Sequence, residues 1–63
     1  MPKTDIPVKL VGTDGNAFAI LGRVKQALVA AGHTELAEQF MKDATTGDYD
    51  NLLRVCTEYV EVE

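Results

Sequence analysis

A chain of 63 residues with a single cysteine, Cys56, has little besides side-chain packing and association to hold it folded. At that length roughly 60% of the surface of the unfolded chain can be buried, so the margin of stability is thin. One cysteine excludes an internal disulfide frame, and one histidine, His33, excludes most imidazole-based metal sites. Length also restricts the chain to one small domain, residues 1–63, with no linker or repeat to hide a second. The 46% hydrophobic content is ordinary for a packed domain and too high for a disordered one.

The apolar residues are ordered by period. Ile6, Val8 and Leu10 alternate with Pro7 and Lys9, which predicts a strand over about residues 6–11. Pro7 cannot donate to a ladder, so that strand belongs at an edge or begins there. Gly12 to Asn16 reads as a turn, with Asp14 or Asn16 capping a first helix over about 16–31. Ala17, Leu21, Val24, Leu28 and Ala31 recur at three- and four-residue steps, widened by Ile20 and Ala27, with Arg23 and Gln26 opposite. Gly32 then ends the helix.

Thr34 is the expected cap of a second helix over about 34–45, with Glu35 favoured in its first turn by the helix dipole. Leu36, Ala37, Phe40, Met41 and Ala44 form its apolar face. Thr45-Thr46-Gly47 breaks it, and Asp48 caps a third helix over about 48–59. The inward face expected there is Tyr49, Leu52, Leu53, Cys56 and Val60. Residues 59–63 alternate like a strand yet also extend the third helix, so both readings stay open; as a strand, Glu61 would face Lys9. The fold class is therefore mostly α (α+β): a first strand, a three-helix bundle, and, on the extended reading, a short last strand pairing with the first.

Charge is placed unevenly. Residues 1–42 carry five basic against four acidic side chains, a net +1, whereas residues 43–63 carry six acidic against Arg54, a net −5. Affinity for nucleic acid comes mainly from Lys and Arg on phosphates, so direct binding to DNA or RNA is disfavoured. A third-helix recognition element fails for the same reason, since its outward residues include Asp50 and Glu58 and only one base-reading Arg54. No apolar run exceeds the five residues of 17–21, far short of a membrane span, and no secretory leader is legible, so a cytoplasmic protein is expected.

No chemical constellation emerges. After Gly12 the second glycine of a phosphate loop would fall on Ala17, and the dinucleotide fingerprint is absent. Calcium loops counted from Asp14 and Asp48 put Lys25 and Tyr59 where a bidentate glutamate belongs. Cys56 sits on an apolar stripe where a thiol is inert, and His33 sits in a loop. Catalytic residues, cofactor, metal and small-molecule substrate are accordingly expected to be none.

What remains is a surface. Phe18, Gly22, Lys25 and Val29 form a row on the flank of the first helix. The row reads either as the broad edge of the core, which a small domain's need for apolar groups favours, or as a partner surface. Asp50, Arg54 and Glu58 supply the exposed charges of the third helix. Self-association or a protein partner is the expected role. An acidic regulator of the nucleic-acid machinery, docking a basic protein or mimicking a phosphate backbone, is the alternative.

The segments Asp14-Gly15-Asn16-Ala17-Phe18 and Gly47-Asp48-Tyr49-Asp50-Asn51-Leu52-Leu53 resemble those of a family of short bacterial and mobile-element proteins. That resemblance spans about residues 8–62 and implies a phage or plasmid connection. It implies no activity and no site residue.

Overall fold

The computed structural model describes residues 2–10 and 16–63, and its elements follow in the order β1 (Pro7–Val8), α1 (Ala17–Ala30), α2 (Thr34–Ala44), α3 (Tyr49–Tyr59) and β2 (Glu61–Val62). The expected class is what forms: three helices, a first strand, and a last strand paired with it. The Gly12–Gly15 part of the expected turn, the Asp14 cap and the Val11 end of the expected strand lie outside the described residues.

Local chemistry sets each helix boundary. Asn16 caps α1, its side-chain oxygen accepting from the Phe18 amide at 2.9 Å. At the other end the Gly32 amide donates to Val29 and the His33 amide to the Leu28 carbonyl at 2.8 Å, with Gly32 at φ +86°. This is a Schellman closure, in which a left-handed residue lets two amides turn back onto orphan carbonyls. An L side chain at Gly32 is strained by that φ although space is open around it. Gly32→Ala is expected to cost about 1–2 kcal/mol, read from the urea midpoint, and an unchanged midpoint would contradict the strain.

The short connections differ from expectation in one respect. His33, not Thr34, holds the cap position of α2 and makes no side-chain bond there, while Thr34 is already the first helical residue. The Schellman closure uses the His33 amide, so the helix starts directly behind it. At the far end Thr45 and Thr46 donate their hydroxyls to the Met41 and Lys42 carbonyls at 2.6 and 2.8 Å. These threonines end α2 by satisfying its last carbonyls. Asp48 accepts from the Asn51 amide at 3.0 Å, and the Asn51 side chain donates back to the Asp43 carbonyl at 3.1 Å. Cap and side chain together pin the start of α3 to the end of α2.

The two strands run parallel, Pro7 opposite Glu61 and Val8 opposite Val62. Glu61 therefore faces Pro7, not Lys9. All three helices form the crossover that a parallel pair requires. The pairing also extends past the strands, because the Lys3 and Thr4 amides donate to the Glu58 and Tyr59 carbonyls at 2.8 and 3.0 Å. The first segment thus supplies partners for carbonyls in the last turn of α3, which that helix cannot satisfy itself. Along β1 the inward-facing Ile6 and Val8 carbonyls accept from Glu61 and Glu63. On the opposite edge Pro7 has no amide to offer and the Lys9 carbonyl accepts from Arg23 Nη1 at 3.1 Å, so that edge is blunted.

The core joins Val8 of β1, Ile20, Leu21, Val24 and Leu28 of α1, Ala37, Phe40 and Ala44 of α2, and Leu52, Val55, Cys56 and Tyr59 of α3, with Val60. α2 packs broadly on both other helices, which meet each other only narrowly. Two apolar assignments change. Ala31 is exposed beyond the end of α1. Tyr49 and Leu53, expected inside, are 39% and 38% exposed, and Val55 and Tyr59 take their places. The two stripes share Leu52 and Cys56, with Val60 just past the helix buried as expected, so α3 is turned by about 60° from the expected phase, at 3.6 residues per turn.

Tyr59 explains the turn. Its ring is fully buried, packs edge-on against Phe40 with centroids 5.5 Å apart, and lies under the Lys3 ammonium at 5.3 Å. Its hydroxyl donates to Asp43 Oδ2 at 2.6 Å, which lets a polar tip end a buried ring without an orphaned group. The largest buried side chain of α3 thereby binds α2 and the first segment at once.

A candidate docking surface on α1

The phase of α1 is set by its buried residues, and that phase decides what its other side shows. With Ile20, Leu21, Val24 and Leu28 inward, the row Phe18, Gly22, Lys25 and Val29 falls on the outer flank. Phe18 is 85% exposed and Val29 44%, so the row is not the edge of the core. The core cluster includes Val8, Tyr59 and Val60 and neither Phe18 nor Val29.

Between these two side chains the surface dips into a shallow groove lined by Phe18, Gly22, Arg23, Lys25, Gln26 and Val29. Gly22 forms the floor, since no atom outside its local backbone lies within 4 Å of where a Cβ would stand. The helix carries two cations, Arg23 and Lys25, and no acid. An apolar, cationic, glycine-floored groove can bind an apolar surface bearing carboxylates; it holds no group for bond chemistry.

The charged residues expected on the third helix are there, away from this groove. Asp50, Arg54 and Glu58 are exposed on α3, and none lines the α1 groove. Arg54 is occupied within its own helix, donating to Glu58 Oε2 at 2.7 Å and to the Asn51 side-chain oxygen. An exposed pair of that spacing contributes about 0.3–0.5 kcal/mol. Arg23 and Gln26 line the groove although periodicity marked them only as the face opposite the core. Tyr49 and Leu53 join the exposed apolar groups beside Asp50, and their helical spacing had concealed this by reading equally well as core.

Burial pushes the Cys56 thiol from 9.0 up to about 11, which keeps it protonated at neutral pH. Tyr59 is also raised above its ordinary 10.0, first by burial and then by the hydrogen bond and charge of Asp43. Both groups are neutral when protonated, so the unfolded chain ionises earlier than the folded one as pH climbs. Their contribution is whole below pH 9 and is lost through pH 11 and beyond. Thermal midpoints are expected to fall steadily above pH 9, and the fall is expected to be shallower in Cys56→Ala. Parallel profiles for the two chains would contradict this assignment.

No group of three or more potential metal-ligating side chains clusters among the described residues, and no helix there is long and apolar enough to cross a membrane. No protein-family model, curated protein or solved structure matches the chain.

Proposed function

We propose that this protein is a small cytoplasmic interaction module that docks a protein partner on the outer face of α1, without catalysis of its own. One observation carries the reading: Phe18 stands 85% exposed in a chain too small to spare an aromatic ring from its core. Such a ring, one turn from Gly22 and on the same flank as Val29, is the sort of anchor from which an interface draws most of its binding energy.

A photo-crosslinking residue at position 18, introduced in the protein's own cells, tests it. Discrete crosslinked species are expected, lost when Val29→Glu is added and absent from the same probe at Glu38 on the outer face of α2. A probe at position 18 that yields nothing above the Glu38 control would remove the reading.

A second reading, an acidic regulator that docks a basic protein, is favoured by the exposure of Asp48, Asp50, Glu58, Glu61 and Glu63 in the last third. It requires a crosslinked partner that is basic, released by salt, and lost on Glu61→Gln with Glu63→Gln rather than on Phe18→Glu.

A further inference from the structure

We infer that the occupant of the α1 groove is a second copy of this chain, presenting the Tyr49–Leu53 flank of its α3. The inference rests on the reading of the α1 face as a docking surface, and names what fills it.

Among the described residues the exposed large apolar side chains are two pairs on helices and the single Val62 of β2. Phe18 and Val29 on α1 form one, and Tyr49 and Leu53, 39% and 38% exposed on α3, form the other. Their charges are opposite. α1 carries Arg23 and Lys25 with no acid, while Asp48 and Asp50 flank Tyr49 at the start of α3. The nearest cation of α3, Arg54, is already engaged by Glu58 and Asn51. Arg23 donates to the Lys9 carbonyl and Asp48 caps α3, so Lys25 and Asp50 are the charges left to meet: two α1 faces would set Lys25 near Lys25, whereas α1 against α3 sets it against Asp50.

The dimensions agree. Phe18 and Val29 stand about 16 Å apart along the axis, at 1.5 Å per residue, whereas Tyr49 and Leu53 are one turn apart, about 6 Å. The α3 flank therefore fits between the two α1 anchors, over Gly22, where the missing Cβ allows close approach. Asp50, one residue from Tyr49, is then the acid that meets Lys25 of the row.

A single α1–α3 contact uses a different face of each copy, so one intact face on each of two copies is enough to form it. That property makes the test specific. Sedimentation of the whole chain is expected to show mass rising with concentration, and falling back at high salt as charges beyond about 3 Å are screened near 1 M.

Phe18→Glu and Leu53→Lys are each expected to weaken association at least tenfold. Mixed together they should form a one-to-one pair, since each retains the face the other has lost. Val29→Glu with Tyr49→Lys is a second such pair should either first variant lose its helical signal.

A wild-type chain that stays monomeric throughout would overturn the second copy as occupant and leave the crosslinking result at position 18 to judge the docking surface itself. Association that survives both Leu53→Lys and Tyr49→Lys, or variants that fail to complement on mixing, would equally overturn it.

Discussion

Tyr59→Ala is expected to leave the chain without a cooperative unfolding transition at room temperature. The substitution empties the largest fully buried side chain of the protein. Loss of a core aromatic costs about 3–5 kcal/mol, and the edge-on pair with Phe40 adds about 0.5–1.5 kcal/mol beyond the buried area. A domain of this length holds about 3–9 kcal/mol in total at the usual value per residue. The loss is therefore of the same size as the whole.

Tyr59→Phe separates the ring from its hydroxyl. It retains the packing on Phe40 and removes only the bond to Asp43, whose carboxylate is exposed and returns to water. A loss of about 1 kcal/mol is expected. Urea titration followed by circular dichroism reads both variants. A Tyr59→Ala chain that melts cooperatively near the wild-type midpoint would refute the central place given to this ring.

Deletion of residues 2–10 is expected to have an effect of similar size, although the segment contributes only the two residues of β1 to regular structure. It removes buried Val8 and the partly buried Ile6 and Leu10 from the core. It also uncovers the Glu58 and Tyr59 carbonyls and leaves β2 with no partner. Val8 alone accounts for about 1.5–3 kcal/mol of burial. The Thr4 hydroxyl, which donates to the Tyr59 carbonyl at 2.7 Å, contributes about 1 kcal/mol that Thr4→Val isolates. The shortened chain should lose much of its helical signal and melt broadly. If it kept a sharp transition, the first segment would be an ornament on a self-sufficient bundle.

The helix boundaries were the most legible part of the fold, because the residues that set them act locally. Asn16, Gly32, Thr45, Gly47 and Asp48 each satisfy or redirect backbone groups within a few residues, so a linear reading finds them. Which residues of α3 face inward was less legible. Tyr49, Leu53, Val55 and Tyr59 are all apolar enough for either side, and a helical period tolerates both phases. That Phe18, Gly22, Lys25 and Val29 share one flank is legible from helical spacing, but their exposure is not, and spacing alone favours burial. A flank of a helix is core or surface according to what packs beside it. Here the core draws on Val8, Tyr59 and Val60 and leaves that flank out.

By itself the sequence determined the class of fold, three capped helices after a strand, and the separation of charge into a balanced first part and an acidic last third. Those properties depend on composition and on neighbours within one or two turns. Tertiary structure alone decided three things. It made the strand pair parallel, turned α3 so that Tyr59 meets Phe40 and Lys3, and left Phe18 outside. Each depends on contacts between residues far apart in the chain, and no local preference chooses among the packings that such contacts allow.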